Sequence, residues 1–421
     1  MNKTLSTALA CLCLSWMATD VASAKKASIL EYLPAYVHPG KSHPLPPVFG
    51  NPPQGNGRYV VIAWNDLGMH CMDPSFEDFS ILPPYNNLVA QVIRRGEEPD
   101  IVTQGVTVNY RILGNTTSAN KTNFWQYAQA LFGLSAPLPK DIGLTGKGLS
   151  GTMDPAAGHF TAEGVPVTEI YDNQATSPYQ LAEVVVKDSQ GNILAGTQTV
   201  VPVSTELHCE FCHADLGSAN PAISTGNVKQ NILTLHDQNE GTKLMASRPV
   251  LCADCHSSNA LKAPGKQGLP SLSQAIHGKH AQIDDGTMEG TCYKCHPGPQ
   301  TKCLRGAMFQ AGERCHDGHG GMAEVANPQR RPWLDEPRCA KCHPAPYQEN
   351  AGTLYKNSIG HHGIRCQACH GSTHAEYPSV EPLDNKQSIW LQGFAGTISK
   401  CGVCHTNSPD RNEGPHRSGG N

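Results

Sequence analysis

One five-residue pattern, Cys-x-x-Cys-His, occurs six times between residues 209 and 405 and constrains the fold of this 421-residue chain more than any other feature. Neither a disulfide nor a zinc knuckle requires a histidine directly after every cysteine pair. The attachment signature of c-type haem does require one. The two thiols add to the haem vinyl groups, and the histidine ligates the iron. The predicted thioether cysteines are Cys209, Cys212, Cys252, Cys255, Cys292, Cys295, Cys339, Cys342, Cys366, Cys369, Cys401 and Cys404, followed by the predicted proximal ligands His213, His256, His296, His343, His370 and His405.

A seventh motif is interrupted, because eleven residues separate Cys303 from Cys315-His316. A thioether requires only proximity in the fold, so a looped-out spacer can still deliver both sulfurs to one haem. We therefore predict a seventh haem c on this C-x11-C-H motif, with His316 as its proximal ligand. Two alternatives stay open: a haem held by Cys315 alone, with Cys303 free or paired with another thiol, and no haem at this position.

Each iron needs a second axial ligand, which tunes its reduction potential. Sixteen of the 20 histidines lie after residue 204, and seven of those are predicted proximal ligands, which leaves nine for seven irons. This supply indicates bis-histidine ligation. His208 is the weakest candidate because it directly precedes Cys209. The predicted distal ligands are His236, His277, His280, His319, His374, His416 and one of His361 and His362.

The first 24 residues have the form of a secretory signal, with a lysine, an apolar stretch and the small-x-small ending Ala22-Ser23-Ala24. The mature chain is therefore expected to cross the inner membrane and to act in the periplasm, at the cell surface or outside the cell. The rest of the sequence contains no run of 18 or more apolar residues, so no transmembrane segment is predicted in the mature chain. The net charge of −4 and the lack of a basic run argue against nucleic-acid binding.

Composition divides the remaining chain into three parts, and the predicted fold class is mixed. Residues 25–57 are rich in Pro and Gly, which predicts an extended arm, either a disordered tail or a strap on a neighbouring subunit. Residues 58–205 carry strand patterns such as "VTVNYRIL" and a hairpin signal at Gln190-Gly191-Asn192, which predict a β-rich, immunoglobulin-like sandwich domain. In residues 206–421 apolar periodicity fades, which predicts a haem-scaffolded domain of loops and short helices with little regular secondary structure.

One stretch of the β region, "WNDLGMHCMD", contains soft metal donors, including His70 and Cys71. Three interpretations stay open for it. It forms a buried turn, it supplies His70 as a distal ligand to the first haem, or it binds a separate metal such as copper.

From about residue 204 to 416 the chain resembles the multihaem c-type cytochromes of metal-respiring bacteria, including secreted ones that assemble into conductive filaments. The resemblance is clearest in "GHHGIRCQACHGSTHAEYPS" and "QSIWLQGFAGTISKCGVCH". "VVIAWNDLGMHCMD" and "VVVKDSQGNILAGTQTVVPVS" look like the β domain that precedes some of these haem regions. The resemblance implies closely stacked bis-histidine haems, no substrate pocket and electron flow from iron to iron. In two departures, Phe394 stands where the family pattern has a histidine, and His361-His362 doubles a histidine that usually stands alone.

These features predict an electron carrier rather than an enzyme. Its partners would be other cytochromes or extracellular acceptors such as metal oxides, and a homopolymeric filament is compatible with this function. The alternative is a multihaem reductase of nitrite, sulfite, tetrathionate or a similar oxyanion. In that enzyme one haem near the interrupted motif would be open, with Lys302, Arg305, Arg314 or His319 available to bind the anion.

Overall fold

Residues 44–57, the end of the predicted arm, lie along a strand that comes much later in the chain. The computed structural model describes residues 44–407, 409, 415 and 416, so the predicted signal peptide and the arm up to residue 43 lie outside the described residues. Gln198 Nε2 donates a hydrogen bond of 3.1 Å to Gly50 O. A Cβ atom at Gly196 would stand 2.4 Å from Pro53 O, so the arm can approach this strand only because residue 196 is glycine.

Eleven strands precede residue 205 in the described chain, which confirms the predicted β-rich region. Strand β6 shows the expected alternation, since Val108, Tyr110 and Ile112 are buried while Thr107 and Arg111 are exposed. The strands are β1 (Tyr59–Trp64), β2 (His70–Cys71), β3 (Phe79–Ser80), β4 (Asn86–Arg94), β5 (Asp100–Ile101), β6 (Thr107–Ile112), β7 (Ser150–Thr152), β8 (Asp154–Ala156), β9 (His159–Val165), β10 (Tyr179–Lys187) and β11 (Ile193–Ser204).

Two five-stranded sheets enclose the main apolar core. The first has the order β1-β4-β9-β8 with β5 on β4, and the second has the order β2-β11-β10-β6-β7. β10 and β11 form the predicted hairpin, in which Asp188 N donates to Asn192 O at 3.0 Å. Side chains of both sheets, among them Val61, Leu88, Val184 and Val201, meet in one core together with helix α1 (Phe124–Phe132).

After residue 205 the described chain consists of loops and short helices, so the mixed fold class is confirmed. The longest helix has 13 residues, and the remaining strands have two residues each. The α-helices are α2 (Glu210–His213), α3 (Val228–Glu240), α4 (Leu272–Lys279), α5 (Ala307–Gln310), α6 (Cys315–His319), α7 (Met322–Val325), α8 (Cys366–His370) and α9 (Lys386–Gln392). The strands are β12 (Val250–Leu251), β13 (Gly371–Ser372) and β14 (Ala375–Glu376). The 3-10 turns are Leu244–Ser247, Cys252–Asp254, Ala281–Ile283, Cys292–Lys294, Cys339–Lys341, Tyr355–Asn357, His361–Gly363 and Cys401–Val403.

The C-terminal region covers the first sheet, and all described residues belong to one compact unit. The outer face of β1 and β4, with Ile62 and Trp64, packs against Ala368 and Val403. This burial on both faces explains why the sequence of β1, "YVVIAW", is apolar almost throughout instead of alternating.

The free edge of β1 is paired with a side chain instead of another strand. Gln387 on α9 accepts from Ala63 N through Oε1 and donates to Ala63 O through Nε2, each at 2.8 Å. Both partners are fully buried, Gln387 at 1% exposure and Ala63 at 0%. The amide group therefore satisfies two backbone groups that an exposed sheet edge would present to water.

Replacing Gln387 with Leu is expected to lower the free energy of unfolding by about 3 kcal/mol, because it leaves the N–H and C=O of Ala63 buried without partners. Guanidinium chloride unfolding followed by far-ultraviolet circular dichroism measures this change. Gln190→Leu, in the exposed hairpin turn, is the matched control and should change stability far less. Equal effects of the two substitutions would contradict this role of Gln387.

Candidate metal centres

Every Cys-x-x-Cys-His motif folds into one helical turn. The N–H of the histidine donates to the C=O of the first cysteine at 2.9 Å in His213 and His405 and at 2.8 Å in His343. His256 and His296 make the same bond, and the remaining motif, Cys366–His370, forms helix α8. Residues four apart on a helical turn lie on one face, so the first thiol and the imidazole of each motif project together.

Five of these motif histidines face a second imidazole that comes from elsewhere in the chain. Metal–imidazole bonds of about 2.0–2.1 Å place two rings on opposite sides of one metal with their centres about 6 Å apart. Ordinary ring contacts span a similar range. Contact alone does not explain why each of these pairs joins one motif histidine with one histidine outside a motif. The distances between ring centres are 6.1 Å for His213–His280, 6.4 Å for His236–His256, 6.1 Å for His277–His296, 6.0 Å for His361–His405 and 5.8 Å for His370–His416.

The second nitrogen of several paired imidazoles is engaged by a backbone carbonyl. Nδ1 of His280 donates to Ile276 O at 2.7 Å, and Nδ1 of His277 donates to Ser273 O at 2.8 Å. His256 and His405 make equivalent bonds of 2.9 and 2.8 Å. A carbonyl on Nδ1 selects the tautomer with its lone pair on Nε2, which is the arrangement of a metal-ligating histidine.

Burial favours the neutral, metal-binding form of three imidazoles in these pairs. Desolvation, together with the nearby His277 and His319, lowers the pKa of His296 to about 4. Burial also lowers the pKa of His213 and of His277 below the usual value for histidine. A lone pair is therefore available at neutral pH without the loss of a proton.

A sixth facing pair contains no histidine from an uninterrupted motif. The ring centres of His319 and His374 are 6.1 Å apart. Cys303 lies at this pair, with its Sγ 3.7 Å from His374 Nδ1. Cys303 and Cys315 both pack against the buried cluster of Met288, Tyr293 and Leu304.

His316, which the sequence predicts as the proximal ligand of the interrupted motif, has a different environment. Its Nε2 lies 3.4 Å from Asp284 Oδ1 and is closed off from solvent. In the part of the chain that the structure describes, no imidazole faces it at the distance shared by the six pairs. The structure thus brings His319, and not His316, opposite a second histidine, because His319 lies one helical turn beyond Cys315.

Two further predicted ligands are not in such pairs. His343 is exposed, and within the described residues no imidazole stands opposite it. Of the doubled histidines, His361 faces His405, whereas the ring of His362 lies 4.9 Å from that of His361. His362 has a φ of 50°, and this left-handed backbone directs the two neighbouring rings differently.

The remaining histidine candidates are engaged in other interactions. Nε2 of His70 donates to Pro83 O at 2.7 Å, and burial lowers its pKa to about 4, so His70 is part of the buried structure, in strand β2 and not in a turn. Burial also raises the pKa of the adjacent Cys71 thiol. His208 stacks on Phe211 with ring centres 4.7 Å apart.

Two of the cationic groups near the interrupted motif, Arg305 and Arg314, are engaged within the protein, whereas Lys302 is exposed. Arg305 is 1% exposed and forms a two-pronged ion pair with Asp384, with Nε–Oδ2 at 2.7 Å and Nη2–Oδ1 at 3.0 Å. Arg314 lies over the ring of Phe309, 4.6 Å from its centre. The guanidinium of Arg305 is therefore neutralised within the protein and buried away from any anion in solution.

Comparisons with protein families, curated proteins and solved structures found no match. Among residues 44–407, 409, 415 and 416, no helix is long and apolar enough to cross a membrane. The same residues contain no group of three or more His, Cys, Asp or Glu side chains that could hold a metal ion without further ligands. The candidate centres of this chain are thus pairs of imidazoles with thiols close by.

Replacing Asp384 with Asn is expected to lower the free energy of unfolding by about 3 kcal/mol, because it leaves the buried Arg305 charge uncompensated. Asp100→Asn breaks the ion pair with Arg94, in which both side chains are more than half exposed, and serves as the control. It should have little effect. Denaturant unfolding of both variants checks this, and a near-neutral Asp384→Asn would contradict the role given to the pair.

Proposed function

We propose that this chain is a multihaem c-type cytochrome that transfers electrons through about seven covalently bound haems, most of them ligated by two histidines. One observation carries the proposal. Six pairs of imidazoles face each other at 5.8–6.4 Å, and five of the six include a Cys-x-x-Cys-His histidine. The residues at these pairs fit the group, since thiols lie beside them and carbonyls engage Nδ1 in several of them.

The protein's own side chains would hold the cofactor in two ways. Each thiol adds across a vinyl double bond, so that sulfur bonds to one vinyl carbon and the proton goes to the other, without oxidant or reductant. The two facing imidazoles supply lone pairs from Nε2. When bound, the haem irons supply one-electron redox centres.

The positions of the pairs favour electron flow along a connected series. His277 on α4 and His280, the residue that follows α4, are three residues apart, so the pairs His277–His296 and His213–His280 meet at the end of one helix. His370 and His374 are four residues apart and belong to the pairs with His416 and His319. His296 is also close enough to His319 for the two to interact electrostatically. Four of the six pairs are therefore linked through shared short elements.

The same proposal accounts for the sparse core of the C-terminal region. Between residues 205 and 407 few apolar side chains are buried, while the β region has a large continuous core. The macrocycles would supply the missing apolar mass, and the loops and short helices would form a scaffold around them. Removal of haem is then expected to unfold this region, as metal loss unfolds small metal domains.

The expected partners are other cytochromes or extracellular acceptors, and a filament of identical subunits is compatible with this function. The proposed location is the periplasm or the outside of the cell, on the basis of the signal-like first 24 residues. The reductase alternative is less favoured at the interrupted motif, since Arg305 is paired with Asp384 and His319 faces His374.

Electron paramagnetic resonance of the oxidised, purified protein tests the proposal. The haems at the six facing pairs are expected to be low-spin, because two imidazoles, which are strong-field ligands, would hold each of these irons. His280→Ala should convert about one haem in seven to high spin, since it removes the imidazole opposite His213. His208→Ala is the matched control and should change nothing, because His208 stacks on Phe211 instead of facing a histidine.

A large high-spin signal in the unmodified protein that shifts on addition of nitrite or sulfite would overturn the carrier function and support the reductase. A protein purified from a host that matures c-type cytochromes, yet without haem absorption, would overturn the class itself.

A further inference from the structure

Helix α6 at the interrupted motif has the same form as helix α8 at a complete motif. Both have five residues, Cys315–His319 and Cys366–His370, and both begin with cysteine and end with histidine. Each is followed by a glycine with a left-handed φ and an extended ψ, 79° and −176° at Gly320 and 95° and −178° at Gly371. In this alignment Cys315 takes the place of the first motif cysteine.

The same alignment gives His319 the place of the motif histidine and Gly318 the place of the second cysteine. In the complete motifs the histidine follows the first cysteine by four residues, as His319 follows Cys315. His316 follows it by one residue and points elsewhere on the helical turn. The second thiol is then missing from α6 itself.

Cys303 is placed to supply that second thiol. Its Sγ lies 3.7 Å from His374 Nδ1, at the imidazole that faces His319. Cys303 and Cys315 also pack on the same buried cluster around Leu304. Cys303 therefore lies at the His319–His374 pair, and Cys315 lies at the neighbouring cluster, where its thiol contacts that of Cys292.

A cavity lies beside His319, whereas the Nε2 atom of His316 is enclosed by protein. A cavity of about 550 Å³ is lined by His319 together with Gly318, Arg330 and Lys341, among other residues. Its size falls within the range of cofactor pockets, and its lining combines these cationic groups with the carboxylates of Glu324, Asp335 and Glu336. Nε2 of His316 is instead enclosed, with Asp284 Oδ1 at 3.4 Å.

The backbone around Asp284 stabilises the ionised form of its side chain. It accepts hydrogen bonds from the backbone N–H groups of Met322 at 2.8 Å and Gly286 at 3.0 Å. These bonds lower its pKa to about 2. His316 is thus positioned to interact with a fixed negative charge and has no space for a macrocycle at its Nε2.

We propose that His319 and His374 are the axial ligands of the seventh haem, that Cys315 and Cys303 form its thioethers, and that His316 is not a ligand. The proposal rests on the haem-binding function proposed above. Each thioether forms by addition of S–H across a vinyl group, so the step needs no other reactant. The Cys-His ending of the interrupted motif would then be incidental, and the operative spacing would be Cys-x-x-x-His.

The test compares His316→Ala with His319→Ala in the full-length protein matured in a host that attaches c-type haem. Intact mass counts the haems, and electron paramagnetic resonance of the oxidised protein reports their spin state. His316→Ala is expected to keep seven haems and the low-spin signal of the unmodified protein. His319→Ala is expected either to lose one haem in seven or to show one high-spin haem.

The variant His319→Met separates the loss of an iron ligand from misfolding of the alanine variant. Methionine can ligate haem iron and raises its potential, so this variant should keep seven haems while one of them moves to a higher reduction potential in a redox titration. A purely structural role of His319 would leave all potentials unchanged.

Three outcomes would overturn the inference while leaving the multihaem function standing. They are loss of a low-spin haem in His316→Ala, no change in either His319 variant, and a haem count of six in the unmodified protein. An unmodified protein without covalently bound haem would instead defeat the proposed function itself.

Discussion

The architecture of the C-terminal region depends on imidazole rings held about 6 Å apart, without a hydrogen bond between the two rings of any pair. Such a separation needs support from outside the pair, and the chain supplies it through backbone carbonyls. Ile276 and Ser273 fix His280 and His277 from within α4, while Glu97 in the β region fixes His405. A carbonyl on Nδ1 leaves the lone pair on Nε2, which is the nitrogen that the haem-binding proposal requires as a ligand.

The β region is the rigid base against which these rings are placed. Its first sheet is buried on both faces, and the free edge of β1 is closed by Gln387. Lys229 on α3 reaches back to Asp73 at 2.8 Å, next to the strand that pairs with β12. The histidine-bearing segments are therefore anchored at several points to a sheet core that has its own hydrophobic stabilisation, so they do not depend on their own sparse apolar contacts alone.

Much of this arrangement could be predicted from local sequence, and what could not depends on long-range contacts. Alternation in β6 and the hairpin between β10 and β11 are local patterns, and both are confirmed. Which histidine faces which motif could not be predicted, because His416 and His370 meet only in the folded chain. At the interrupted motif, His316 was predicted as the proximal ligand because it directly follows Cys315. The histidine that faces a second imidazole in the structure is His319, which follows Cys315 by four residues, as in the complete motifs. The choice between His361 and His362 depended on a left-handed backbone at His362 that no sequence pattern indicates.

The most direct test of the central claim is mass spectrometry of proteolytic peptides from the mature protein, mapped motif by motif. The account predicts a covalently attached haem on each of the six complete motifs and on the peptides that contain Cys303 and Cys315. Free thiols, disulfides or bound zinc at the complete motifs would contradict it, because the facing imidazoles would then enclose no macrocycle.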